Sequence, residues 1–228
     1  MKLSVLIPVF NESKTIEEIV HRVAAAPYNK EIVVVDDAST DGTKWKLEKL
    51  AKSRSDLIVR THERNRGKGA AVRTALEHAT GDIVLIQDAD LEYDPADYPT
   101  LLQPILDGRA DVVYGSRFLG GPHRVLFFWH YVANRFLTTF SNVLTNLNLT
   151  DMETCYKVFT TDVARKLNLR SERFGFDPEI TARFAKLDLR IYEVPTSYAG
   201  RTYAEGKKIR WTDGLVILWS ILRFNFFS

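Results

Sequence analysis

Short apolar runs alternate along this chain with segments whose apolar residues recur every three or four positions. The runs LSVLIPVF (3–10), EIVVVDD (31–37), LIVRTH (57–62), DIVLIQD (82–88) and ADVVYGS (110–116) are rich in β-branched residues and predict strands. Runs apolar on both faces suit strands covered on both sides, as in parallel sheets. Between them, Ile16, Ile19, Val20 and Val23 share one helical face, with Ser13 as a candidate cap and Glu17 and Glu18 favourable in the first turn. Val72, Ala75, Leu76 and Ala79 repeat that spacing after RGKG. The sum is β-α-β-α-β-α-β, which predicts an α/β fold with a single doubly wound, mainly parallel sheet and right-handed crossovers.

The polar signals fall where such sheets bind ligands, outside the carboxyl ends of the strands. The first strand runs into PVFNE, the second into DDASTDGT, the fourth into DADLE and the fifth into GSRF. The fourth is the sharpest case, because Asp88, Asp90 and Glu92 follow one another at intervals of two. Side chains two apart in an extended segment point to one side, so these acids either splay into solvent or surround something positive. Acids at strand ends can also cap the following helix, the role expected of Asp41. An all-oxygen ligand set of Asp88, Asp90 and Glu92 suits a hard cation, Mg²⁺ or Mn²⁺, whose shell a substrate phosphate completes. NRGKGAA (65–71) sets Arg66 and Lys68 among glycines at a predicted helix start, where backbone N–H groups favour anions. A solvated turn is the plainer reading of those two residues.

Composition narrows the choices. Thirty-one Lys and Arg against twenty-nine Asp and Glu give +2 over 228 residues, too balanced for nucleic acid as the main partner. Cys155 is alone, so no intramolecular disulfide forms, and the histidines at 21, 62, 78, 123 and 130 lack metal-site spacing. No secretory leader and no run of roughly 18–20 apolar residues is visible. The expected location is cytoplasmic, with peripheral contact to the cytoplasmic face of a membrane.

Two aromatic-rich stretches supply the reason for that contact. In 125–147, Trp129, Val132, Phe136, Phe140, Val143 and Leu147 share one helical face, opposite Arg135, Thr139, Asn142 and Asn146. The stretch 211–228, WTDGLVILWSILRFNFFS, is apolar nearly all round. Either can lie in a bilayer interface, or pack on the core or on a second copy in a homodimer. The expected organisation is a catalytic domain over 1–210 and an apolar C-terminal helix over 211–228.

SVLIPVFNES, EIVVVDDASTDGT, NRGKGAAVRTAL and GDIVLIQDADLEYDP, in this order, resemble a family 2 glycosyltransferase of the glycosyltransferase-A fold over residues 3 to about 120. YGSRF (114–118), DMETCYKVF (151–159) and GRTYAEGKKIRWTDG (200–214) resemble its dolichyl-phosphate mannose synthase-like branch. The resemblance implies inverting, metal-dependent transfer of a hexose from a nucleotide-sugar, of the GDP-mannose or UDP-glucose type, to a polyprenyl phosphate. It makes Asp90 the direct metal ligand, places Asp88 on the nucleotide side or the metal, and has Pro8, Phe10 and Glu12 line the nucleotide pocket with Lys68. Glu92 stands where close relatives often carry Gln. Asp37, ahead of Asp36, resembles the carboxylate that reads the base, though either also reads as a helix-capping acid.

A lipid phosphate is already anionic and needs no base, so positioning by cations should dominate. Arg117, Arg135 and Arg201 are the expected phosphate holders, with Arg117 and Arg201 counted as catalytic, and Lys207 and Lys208 follow in second rank. Asp151 is read as structural, paired with Lys157, and Cys155 as a packing residue. The alternative is a soluble or polysaccharide hydroxyl acceptor with Asp151 as general base. A protein that only binds nucleotide-sugar is the remaining, non-catalytic reading.

Overall fold

The computed structural model describes residues 1–125, 127–206 and 211–227. Five predicted strands form within a residue or two of their expected limits: β1 (Leu3–Val9), β2 (Lys30–Asp36), β3 (Leu57–Thr61), β4 (Ile83–Ile86) and β5 (Val112–Ser116). β6 (Lys157–Thr160) and β7 (Ile191–Pro195) complete a sheet ordered β3-β2-β1-β4-β6-β5-β7. β6 runs antiparallel between β4 and β5, while the remaining pairings are parallel. Neither β6 nor β7 stood out in the sequence, because β6 opens on a lysine inside the DMETCYKVF motif and β7, with a glutamate at its centre, is only partly buried.

The helices are α1 (Ile16–Ala25), α2 (Thr43–Ser53), α3 (Lys68–His78), α4 (Tyr98–Leu106), α5 (Phe128–Thr145), α6 (Thr161–Lys166), α7 (Phe176–Ala185) and α8 (Trp211–Phe226). Ile16, Ile19, Val20 and Val23 are all buried under α1, as their spacing predicted. The cap does not fall on Ser13: Thr15 occupies that position without a side-chain hydrogen bond, and Ser13 instead donates its backbone N–H to Asp41. Asp41 also accepts from the N–H and hydroxyl of Thr43, at 3.1 and 2.6 Å, where α2 begins.

Two features of this topology place the site. The chain winds outward from β1 to β3, then returns to lay β4 on the other side of β1, so a crevice opens beyond the ends of β1 and β4. Because β6 is antiparallel to β4, its first residue, Lys157, lies at the carboxyl end of β4. The motif at 151–156 is thereby carried to the edge of the same crevice.

α8 packs on α7 and α5, with Ile217 and Ile221 buried against Leu137 and Met152 in a second, smaller core. The predicted stripe of α5 faces outward. Trp129, Phe136 and Val143 are exposed, and the helix instead buries Leu137, Thr138 and Ser141. Leu215, Val216, Trp219, Phe226 and Phe227 are likewise exposed on and just after α8. Among the described residues no helix is long and apolar enough to cross a membrane.

Candidate active site

The start of α3 differs from the expectation of an open anion loop. The backbone N–H groups of Arg66 and Gly67 donate to the two oxygens of Asp37, at 2.8 and 2.6 Å, and His62 Nδ1 lies 2.7 Å from the same carboxylate. The anion at this helix start is therefore a side chain of the chain itself. Its glycines serve close packing: a Cβ on Gly67, where φ is +97°, would sit 2.5 Å from the Glu172 carbonyl oxygen, and one on Gly69 would collide with the Ser171 carbonyl. Asp37 is thus committed to the loop. Its neighbour Asp36 is fully buried and holds Ser39 N–H on Oδ1 at 3.2 Å, while Oδ2 has no partner among the described residues.

Lys68 reaches across the crevice to Asp88, Nζ to Oδ1 at 3.0 Å. Burial pushes the Asp88 carboxyl up, but the Lys68 ammonium, helped by Cys155 and Lys157, holds it below the usual carboxylate range. Asp90 lacks that relief. Burial and the charges of Asp88 and Glu92 push its carboxyl up to about 7, against the opposing pull of Arg201. Glu12, from the loop after β1, completes the ring of acids, and Pro8 and Phe10 lie just before it.

Asp88, Asp90 and Glu92 do not converge as the three-carboxylate cage expected from the sequence, and no group of three His, Cys, Asp or Glu among the described residues is so arranged. Each acid has its own cationic or polar partner. Glu92 accepts from Tyr198 Oη at 2.8 Å and from the Arg201 backbone N–H at 2.8 Å, tying the 198–201 segment to the end of β4. The Arg201 guanidinium then reaches Asp90 Oδ2 at 2.9 Å and both oxygens of Glu12 at 3.1 and 3.2 Å.

Arg117 also comes to this edge, stacked 5.2 Å from the centroid of Tyr198. Its partner is Asp151, gripped by Nε and Nη2. The expected pairing of Asp151 with Lys157 is therefore corrected: Lys157 holds Asp177, Nζ to Oδ1 at 2.5 Å, because β6 turns the lysine toward the first turn of α7. Cys155 is buried, with Sγ 3.6 Å from the Ile86 carbonyl, which fits a packing role. Arg135 is exposed on α5, away from these acids' hydrogen bonds. Lys207 and Lys208 lie outside the described residues.

Glu153 was missed by sequence reasoning. Its buried Oε1 has no partner among the described residues, and burial together with Asp177 pushes the carboxyl up to about 8. The signal was its place two residues from Asp151 in DMETCYK, the same alternation that exposed Asp88 and Asp90.

The family model described as glycosyl transferase family 2 matches residues 4–167, which include Glu12, Asp88, Asp90 and Glu92 and the Arg117–Asp151 pair, though not Asp177 or Arg201. The chain belongs to this family and is a glycosyltransferase. An undecaprenyl-phosphate mannosyltransferase of Micrococcus luteus is 30% identical over 219 residues, 91% of this chain and 87% of that protein. A dolichol-phosphate mannosyltransferase of Pyrococcus furiosus is 37% identical over 123 residues, but these make up 53% of this chain and 34% of that one. A low-salt glycan biosynthesis hexosyltransferase of Haloferax volcanii is 31% identical over 97% of this chain, which spans 52% of its length. Among solved structures, a glucosyl-3-phosphoglycerate synthase of Mycobacterium tuberculosis, in complex with Mn²⁺, UDP and phosphoglyceric acid, superposes with a TM-score of 0.76. The match covers 100% of this chain and 79% of that one at 20% identity, and it places the sheet in the glycosyltransferase-A fold.

Proposed function

We propose that this chain transfers a hexose from a nucleotide-sugar to a polyprenyl phosphate, with Mg²⁺ or Mn²⁺ at Asp90, working at a membrane surface. The observation that carries the reading is the state of Asp151. A hydroxyl acceptor needs a base, and the carboxylate in the position for it is fully buried and bound on both oxygens by Arg117. A phosphate acceptor is already anionic and calls for cations, which Arg117 and Arg201 supply at the mouth of the crevice. The Micrococcus relative, which acts on undecaprenyl phosphate by its name, supports the same acceptor class.

The donor chemistry, carboxylate oxygen throughout, suits a hard divalent cation whose remaining ligands come from the substrate diphosphate. Glu12, Asp88, Asp90 and Glu92 face Lys68 and Arg201, four acids against two bases among these groups. Asp90 stands nearest to Asp88 and Glu92 in this excess of acids, and every candidate ligand atom is a carboxylate oxygen. Asp90 would hold the ion, with Asp88 beside it. When bound, such an ion neutralises the diphosphate leaving group as a Lewis acid. Lys68 and Asp88 fix the floor of the crevice, Pro8, Phe10 and Glu12 border the nucleotide, and the arginines align the incoming phosphate oxygen.

Calorimetry against GDP-mannose, UDP-glucose and UDP-N-acetylglucosamine with Mn²⁺ identifies the donor, and transfer to polyprenyl phosphate then tests the acceptor. Asp90→Asn is expected to abolish both Mn²⁺-dependent nucleotide binding and turnover. Near-normal turnover in that variant, or transfer to free glycan hydroxyls in preference to lipid phosphate, would sink the proposal.

A further inference from the structure

Three acids ring the mouth of β4, and a side chain already supplies their positive charge. Arg201 spends its guanidinium on all three: Nε lies 3.3 Å from Glu92 Oε1, Nη2 2.9 Å from Asp90 Oδ2, and Nη1 and Nη2 3.1 and 3.2 Å from the two oxygens of Glu12. Both oxygens of Asp90 already accept a hydrogen bond, Oδ1 from the Glu92 N–H at 3.1 Å. A guanidinium and a divalent ion cannot both crowd Asp90 without like-charge repulsion, because a small hard cation binds at roughly 2.1 Å.

We propose that Arg201 is the resident counter-ion of Asp90, exchanged for the cation that accompanies the donor, and that this exchange frees its guanidinium for the acceptor phosphate. The inference rests on the proposed function and adds to it an order of binding, donor first and acceptor second.

The tether of the segment allows such an exchange by rotation of one side chain. Glu92 holds the segment around Arg201 at three points, two of them backbone: its carbonyl accepts Ala199 N–H at 2.9 Å, Oε1 accepts Arg201 N–H at 2.8 Å, and Oε2 accepts the Tyr198 Oη–H at 2.8 Å. None of these bonds involves the guanidinium. The arginine can therefore leave Asp90 while its own Cα stays in place, and rotamer changes of this kind are fast. Arg117, 5.2 Å from the centroid of the Tyr198 ring, neighbours that tether. A guanidinium released from Asp90 thus has a second arginine for company at a phosphate, a forked arrangement suited to its oxygens.

The reverse consequence follows from linkage. A phosphate that drew Arg201 away before the donor arrived would leave Asp90, Glu12 and Glu92 without their counter-charge, so it must bind weakly alone.

The test is Mn²⁺ binding by the full chain without acceptor, followed by electron paramagnetic resonance of the free ion, for wild type, Arg201→Lys and Arg201→Ala. Arg201→Ala is expected to bind Mn²⁺ about fivefold tighter or more, with Arg201→Lys between the two. A second measurement uses wild type alone: a short-chain polyprenyl phosphate in detergent should bind at least about fivefold tighter when Mn²⁺ and the nucleoside diphosphate are present. Wild type that binds Mn²⁺ and nucleotide while Arg201→Ala binds the ion no better overturns the exchange and leaves the proposed function standing. Equal lipid affinity with and without donor overturns it too, even if the variants fail to fold. Loss of all Mn²⁺-dependent nucleotide binding in wild type removes the underlying function and the inference together.

Discussion

Arg117 grips Asp151 through two parallel hydrogen bonds, Nε to Oδ2 at 2.6 Å and Nη2 to Oδ1 at 2.7 Å, and the carboxylate it grips is wholly buried. The Arg117 backbone N–H adds a third bond to Asp151 at 3.2 Å, and Asn134 a fourth at 3.3 Å. A carboxylate so bound is a fixture of the fold. It aims the guanidinium that the acceptor is proposed to meet.

Asp151→Asn should therefore cost stability first. Removing one charge of a buried pair strands the other, at about 3–5 kcal/mol. Urea unfolding is the measurement, alongside the pH dependence of transfer in whatever fraction stays folded. A variant as stable as wild type, whose activity is rescued at high pH where a hydroxyl acceptor ionises, would restore Asp151 as a base.

Glu153→Gln should change how stability varies with pH. The folded carboxyl is pushed up to about 8 from an ordinary value of 4.5, mainly by burial and by Asp177. Between those values the folded chain keeps a proton that the unfolded chain releases, so wild-type stability falls as pH rises through that window. Glutamine copies the neutral form and does not titrate. The two proteins should match near pH 4.5, and the variant should lead by about 1 kcal/mol or more at pH 8. Thermal melts across pH 4.5–8 decide it: a constant gap between the two would mean that Glu153 is ionised in the fold.

How far the sequence disclosed these groups depended on whether their partners were near in the chain. β1 to β5 were legible because each is a continuous apolar run, and the crevice was legible because Glu12, Asp88, Asp90 and Glu92 follow such runs directly. The partners were not. Arg201 lies 111 residues from Asp90, and Asp177 lies 20 from Lys157 across a helix boundary, so no spacing rule links them. The sequence posed the need for a positive charge among the acids correctly, yet a lone arginine cannot be told from a metal by that need. The two readings left open for Asp37 could not be separated for a related reason: its acceptance of two N–H groups at the start of α3 depends on β2 and α3 lying side by side, which is a tertiary fact.

Gly69→Ala tests the corrected reading of the RGKG stretch. A phosphate-cradling glycine would tolerate a methyl until ligand arrived, whereas here the Cβ would meet the Ser171 carbonyl carbon at 3.0 Å and Phe176 Cβ at 3.2 Å, with the Ser171 oxygen nearer still. Backbone atoms yield little, so overpacking should cost about 1–3 kcal/mol without any nucleotide present. Calorimetric melting of the ligand-free protein gives the answer, and an unchanged melting temperature would return this loop to a ligand-binding role.

The exposed aromatic residues of α5 and α8 make the final prediction. Trp129 is 75% exposed, Phe136 59%, Trp219 57% and Phe227 75%, whereas Ile217, Ile221 and Phe224 of the same C-terminal helix are buried. Deleting α8 would therefore open the small core it shares with Leu137 and Met152, and a loss of binding would be ambiguous. Point changes at the exposed positions avoid this. Leaving such area in water costs about 25 cal/mol per Å², and a polyprenyl acceptor must come from a bilayer, so these rings are expected to seat in a membrane interface. Phe136→Ser with Trp219→Ser should reduce co-sedimentation with liposomes by about tenfold, as a loss of roughly 1.4 kcal/mol implies. Donor binding should be untouched, because neither residue borders the acids of the crevice. Wild type that ignores liposomes but sediments as a dimer, with the double variant a monomer, would assign the same face to a second copy of the chain.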